Sequence, residues 1–159
     1  MTAYTTKIDI PAETRRAVVD LLNQHLADTF DLYSQIKQAH WNVKGLHFIA
    51  LHELFDKLAA DVLPLIDDIA ERITTLSGVA VGTIRSAARA SRLMDFPLAG
   101  VIEREALELL SDRYATLAAS AREAIDTAAS LGDVDTADLF TGMSRELDKT
   151  LWVLEAHLQ

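Results

Sequence analysis

The chain has no cysteine and only three prolines in 159 residues. Without cysteine there is no disulfide scaffold, no cysteine-zinc site, no thiolate iron–sulfur cluster and no cysteine nucleophile. That absence suits a reducing compartment. Few prolines, with half of the residues apolar, argue against long disordered stretches. No run approaches the ~18 consecutive apolar residues that a bilayer span requires. The first ten residues hold one lysine, Lys7, and no apolar core segment, so they do not read as a secretory leader. A cytoplasmic location is the expectation. Positive charge is also in deficit: the formal net charge is −9. Such a surface repels nucleic-acid phosphate and anionic membrane and is compatible with cation uptake.

What is present is helical periodicity. Apolar residues recur at helix spacing almost throughout, and alternating β-branched runs are missing. The length fits one domain, residues 1–159, with a short N-terminal tail over residues 1–10. Four long helices are predicted. The first spans 12–43, with Pro11 in its opening turn, Asp9 as its cap and Gly45 beyond its end. The second spans 47–77 and is closed by Gly78; the third spans 101–131 and ends at Gly132. The fourth spans 136–158, after a turn at Asp133–Asp135. Residues 79–99 form a long connection punctuated by Gly82 and Pro97, with a short extra helix over 83–93. Short links make two antiparallel hairpins, and the long one allows a crossover. The fold class is all-α, a four-helix bundle with one crossover.

The second helix carries His52, Asp56, Asp67 and Glu71, two pairs at i, i+4. Each pair shares a face. An imidazole with several carboxylates suits iron or manganese better than structural zinc. An acidic pair alone is most often a solvated face, so the helical wheel decides. At about 100° per residue, Leu51, Leu54, Phe55, Leu58, Val62, Leu65, Ile66, Ile69, Ile73 and Leu76 fill one arc of about 120°. The four ligand candidates fall in another arc, together with Ile49, Ala59, Leu63 and Ala70, and with Ala60 at its edge. Ligands mixed with small and apolar residues suggest a second packing surface. An ion site inside one bundle is disfavoured.

The two pairs are centred ~22 Å apart along the helix axis, too far for one ion to bridge. Yet His52–Glu71 and Asp56–Asp67 are centred on the same point, between Asp61 and Val62. Two antiparallel copies of the helix would therefore set His52 opposite Glu71 and Asp56 opposite Asp67, twice per dimer. Small residues near the axis, Ala60 among them, permit close approach. Pro64 lies beside that axis, where a proline removes a helix hydrogen bond and favours a bend. His40 continues the apolar stripe Leu22, Leu26, Phe30, Tyr33, Ile36 of the first helix and reads from that position as a buried, hydrogen-bonded histidine.

The pattern HW-x10-H-x3-D-x10-D-x3-E, from His40-Trp41 to Glu71, resembles the signature of the Dps family of mini-ferritins. The similarity extends over nearly the whole chain, including Asp95-Phe96-Pro97-Leu98, Asp112-Arg113-Tyr114-Ala115 and Leu147-Asp148-Lys149-Thr150-Leu151-Trp152. The resemblance implies a ferritin-like bundle assembled as a hollow shell of twelve subunits. It implies a ferroxidase site at the two-fold interface, with His40, His52 and Asp56 from one chain and Asp67 and Glu71 from its neighbour. The implied chemistry is oxidation of ferrous iron with hydrogen peroxide and storage of the ferric mineral. Zinc or manganese could occupy the same ligands. Trp41 and Lys37 are implied beside the site, as a quencher of stray oxidant and an orienter of a ligand carboxylate. Asp133, Asp135 and Asp138 are candidates for an iron-entry pore. DNA binding, the alternative role, is not expected. The tail is not basic, Gln159 follows directly on the fourth helix, and Arg85, Arg89 and Arg92 make only a small patch.

Overall fold

Five helices form among the residues that the computed structural model describes, 4–99 and 101–159, and no strand is present among them. They are α1 (Ala12–Asn42), α2 (Phe48–Thr75), α3 (Ile84–Ala90), α4 (Glu103–Ser130) and α5 (Val134–Ala156). The all-α expectation is met, with α3 as the short extra helix in the connection. Of the N-terminal tail, residues 1–3 lie outside the described residues.

Helix ends follow local chemistry, not always as expected. Pro11 occupies the N-cap of α1, and Asp9 does not cap it. Instead Arg15 donates to the carbonyls of Ile8 and Ile10, 3.1 Å each, and holds the tail against the helix start. At the end of α2 the left-handed residue is Ser77, at φ 67°, rather than Gly78. Its hydroxyl donates to the Tyr4 carbonyl, tying the tail to this corner. Gly78 is needed for a different reason: a Cβ there would run into the side chain of Val19. Gly132, at φ 88°, does close α4 in the left-handed conformation. α5 starts two residues earlier than the pattern suggested, because Asp133 caps it by accepting the Thr136 N–H at 3.0 Å.

α1 packs along α2, and α4 along α5. Their short turns make both pairs antiparallel. The connection from α2 to α4 returns along the bundle, so α2 and α4 start at the same end. Two contacts show this directly. His47 at the start of α2 meets Glu103 at the start of α4, and Arg72 near the end of α2 meets Asp133 at the start of α5. The core runs the full length, with Leu22, Ile36, Phe55, Ile73, Leu110 and Phe140 wholly enclosed. Burial of each such side chain contributes ~1.5–3 kcal/mol.

The crossover is bolted to α1 by polar contacts. The carboxylate of Asp28, enclosed in the bundle, accepts from the backbone N–H of Arg92 at 2.8 Å and from its guanidinium at 2.6 and 3.0 Å. Ser91 donates to Asp31 at 2.6 Å. Arg113 of α4 donates to the carbonyls of Met94 and Asp95 at 3.0 Å. Arg92 stays half exposed, but its charge is paired with Asp28, which leaves Arg85 and Arg89 as the rest of the basic patch expected from the sequence.

His25 sits beside this junction, fully buried against Phe140. Its Nδ1–H donates to the Leu21 carbonyl at 2.9 Å, and its Nε2 lies 3.0 Å from the Ser120 hydroxyl. Burial, first, and the nearby Arg92 charge hold its pKa below the ordinary histidine value. The unfolded chain then binds a proton near pH 6.5 that the folded chain refuses. The resulting stability is complete above that pH and is lost as pH falls below it. A His25→Gln variant, which cannot titrate, is expected to show a flatter urea midpoint between pH 6.5 and 5 than the unsubstituted chain. The difference grows by at most ~1.4 kcal/mol per pH unit. Parallel curves for the two proteins in urea titrations across that range would refute this account of His25.

Candidate metal centre

The turn between α1 and α2 brings two histidines from different helices face to face. The rings of His40 and His52 stack with centroids 3.8 Å apart. Each uses Nδ1 on the other's backbone: His40 Nδ1 is 2.8 Å from the His52 carbonyl, and His52 Nδ1 is 2.9 Å from the His40 carbonyl. A carbonyl oxygen can only accept, so both Nδ1 atoms carry the hydrogen. That fixes the tautomer and leaves the Nε2 lone pairs as the available donors. A backbone carbonyl on the far nitrogen is the usual way that a ligating imidazole is oriented. The sequence correctly described His40 as buried and hydrogen-bonded; the partner is the backbone of the second candidate ligand. Phe48, one turn before His52, stacks on its other face at 5.1 Å.

Asp56, one turn beyond His52, stands at the edge of this pair, 3.8 Å from His40 Nε2. Its carboxylate is 62 % exposed and accepts a 2.7 Å hydrogen bond from Lys37. That bond and the Lys37 charge hold its pKa below the ordinary carboxylate value. Lys37 thus fixes the orientation of this candidate ligand. The same ammonium lies 5.7 Å from the Trp41 ring centroid. Trp41 itself is exposed. Imidazole nitrogen and carboxylate oxygen are borderline donors of the kind that suit a first-row divalent cation.

Asp67 and Glu71 lie on the same exposed side of α2, further along it. From Asp56 to Asp67 is already ~16 Å of helix rise. Among the described residues, no three acidic or histidine side chains of one chain are gathered closely enough to hold an ion. The histidine half and the carboxylate half are therefore separate within a chain. Between them α2 presents an open groove lined by Ala60, Leu63, Pro64, Ile66, Asp67 and Ala70. α2 runs unbroken through Pro64, which has no N–H to give the Ala60 carbonyl. The wheel sorted this helix well except at Ala59, which is buried against the bundle and not on the ligand side.

The acidic trio near α5 divides. Asp133 is almost wholly enclosed: Arg72 donates to it at 2.7 Å, and its oxygens also accept from the Thr136 N–H and hydroxyl. It serves as a helix cap and an ion-pair partner. Asp135 and Asp138 are exposed. Neither Phe48 nor the reciprocal histidine bonds were identified from the sequence. Phe48 lies at i−4 from His52, so its spacing held a signal. The histidine bonds depend on the turn geometry and left none.

Comparison with known proteins identifies relatives of the whole fold. The family model for the ferritin-like domain matches residues 19–159. A DNA protection during starvation protein from Agrobacterium fabrum is 42 % identical over 159 residues, covering 100 % of this chain and 98 % of that protein. DNA protection during starvation protein 2 from Bacillus anthracis is 31 % identical, over 90 % of this chain and 97 % of its own length. Among solved structures, Mycobacterium smegmatis Dps superposes with a TM-score of 0.92 at 30 % identity, covering 100 % of this chain and 95 % of that one. The Dps protein of Vibrio cholerae, described as a member of a broad superfamily of ferritin-like diiron-carboxylate proteins, gives 0.91 at 28 % identity. Coverage in that pair is 100 % of this chain and 99 % of the other.

Proposed function

This chain belongs to the Dps family of ferritin-like proteins, and from that premise we propose that it oxidises ferrous iron at sites shared between two subunits and stores the ferric product inside a shell. The observation that carries this reading is the histidine pair, pinned through both Nδ1 atoms so that the Nε2 atoms are left to ligate, with Asp56 at its edge, on a face where one chain supplies only half a ligand set. His40, His52 and Asp56 of one subunit would meet Asp67 and Glu71 of its two-fold neighbour. Two such sites arise per dimer. Iron is the substrate; manganese or zinc fits the same donors.

Carboxylate ligands favour ferric over ferrous iron and so lower the potential. With hydrogen peroxide as acceptor, two ferrous ions each give one electron to one peroxide. The O–O bond breaks, two protons are taken up and two waters leave, so no hydroxyl radical is released. Two ferrous ions acting together are what make that balance possible. Lys37 orients the Asp56 carboxylate for binding, and Trp41 stands within reach of stray oxidant. Asp135 and Asp138 are the residues we assign to iron entry. Assembly into a dodecamer from two-fold dimers, in the cytoplasm, completes the reading.

The relatives are named for DNA protection, but this chain offers phosphate little. Its net charge is −9, and the Arg92 guanidinium is paired with Asp28. Anaerobic ferrous titration followed by peroxide, read by absorbance and native mass, tests the proposal. We expect saturation at two sites' worth of iron per dimer, a ratio of two ferrous ions oxidised per peroxide, and unchanged plasmid mobility in gels at moderate salt. Absence of saturable ferrous binding would overturn the iron reading, and retarded plasmid would make DNA protection the primary role.

A further inference from the structure

The bend that sets His40 against His52 is held from outside its own hairpin. α2 has no side-chain cap of its own and no acidic residue in its first turn. Glu103, from the first turn of α4, takes over that task across 56 residues of sequence. One of its oxygens accepts the backbone N–H of His47, the α2 N-cap, and the other is 3.0 Å from His47 Nδ1. The hydrogen bond from His47 keeps the Glu103 carboxyl below its ordinary pKa. The same side chain fills the space over Gly45, where φ is 145° and a Cβ would overlap its carboxyl end. Three features of a five-residue turn therefore converge on one carboxylate: a glycine that leaves room, an amide that needs an acceptor, and a ring that adds a second donor.

The turn matters because of what flanks it. The reciprocal bonds between His40 and His52 span the last turn of α1 and the second turn of α2. Each needs the other helix's backbone in register, and the register is set by residues 43–47. A loose turn would break both Nδ1 bonds together and free both rings to rotate.

We propose that Glu103 is a positioning residue for the metal centre: by clamping the α1–α2 turn it holds His40 and His52 with both Nε2 atoms presented to a cation. It touches neither ligand and acts through the backbone. The inference rests on the ferroxidase reading of the same site, yet it concerns divalent-cation binding and can be tested without oxidation.

The test uses the full-length assembled protein and cobalt(II), which binds nitrogen and oxygen donors and reports its geometry by visible absorption. Glu103→Ala is expected to weaken cobalt binding by ~10-fold or more, the range typical of lost outer-shell support. Its cobalt spectrum should shift, and hydrogen exchange over residues 43–48 should speed up without metal. Glu103→Gln keeps an oxygen for the His47 amide and should recover most of the affinity. Gly45→Ala, which pushes the carboxylate off the turn from the other side, should copy the loss. Asp148→Asn removes a carboxylate ion-paired with Arg122 on the α4–α5 hairpin and should change nothing. Unaltered cobalt affinity in Glu103→Ala overturns the proposal, as does an equal loss in Asp148→Asn. If Glu103→Ala does not assemble, Glu103→Asp, whose shorter side chain draws the carboxylate back from the His47 amide, decides by the same criterion. Tight cobalt binding by the unsubstituted protein without ferrous oxidation would instead count against the ferroxidase reading and leave the clamp standing.

Discussion

Replacing His52 and Asp56 together by alanine is expected to lower the rate of peroxide-driven ferrous oxidation by at least ~100-fold, since even residues that merely support metal ligands are typically worth 10–100-fold in affinity. The fold should survive. Asp56 is largely exposed, and its contacts are Lys37 and the edge of the His40 ring. His52 gives up one bond to the His40 carbonyl and two ring contacts. Losing such a bond costs ~1 kcal/mol, small beside the stability of a domain. Far-UV circular dichroism and native mass should therefore match the unsubstituted protein while the absorbance of ferric product fails to develop. Oxidation at an undiminished rate by a correctly assembled double variant would mean that the chemistry lies elsewhere.

The two faces of α2 and the crossover were legible in the sequence, and the reasons are local. Period 3.6 on α2 separates ligands from core because a helix is a rigid ruler; one residue, Ala59, was grouped with the ligands and is instead buried with the core. The long connection announced the crossover because short links cannot join parallel helices. Other features were hidden because they depend on contacts between distant segments. Asp133 reads in sequence like any acidic turn residue, and only the proximity of Arg72 from α2 makes it a buried cap. Arg92 reads as part of a basic patch until Asp28 of α1 claims it. Glu103 has no sequence signal at all, since its partner is a backbone amide 56 residues away. Period and spacing are legible; partners supplied across the bundle are not.

The groove along α2 joins these two levels. Apart from Asp67 its lining residues are small or apolar, and Leu63 is 48 % exposed there, with Ile49 exposed further up the same helix. An acidic protein gains nothing by leaving Leu63 and Ile49 in water beside four ligand candidates. Covered by a second copy of the same helix, running the other way, the groove would bury apolar area and complete two ion sites at once. The stability of the dimer and the affinity for iron would then be linked: iron binds the paired state, and the paired state is favoured by iron. Ala60→Arg, placed on this face, opposes both.

The sharpest consequence of shared sites is that two dead proteins should make a live one. Take His52→Ala/Asp56→Ala as one partner and Asp67→Ala/Glu71→Ala as the other. Each alone has no intact site, since every site contains one damaged half. In a mixed dimer one site receives both damaged halves, and the other receives the intact histidine half of one chain and the intact carboxylate half of its neighbour. Random pairing makes half of the dimers mixed, each with one good site of two, so refolding an equimolar mixture should restore about a quarter of full activity. Refolding each variant separately and then combining them, without exchange of subunits, should restore none. A site built within one chain would give zero in both cases, because every chain in the mixture is damaged. The refolded mixture therefore separates the two architectures by a single rate measurement, and zero recovery from a mixture whose mixed dimers are verified by native mass would disprove the intersubunit site.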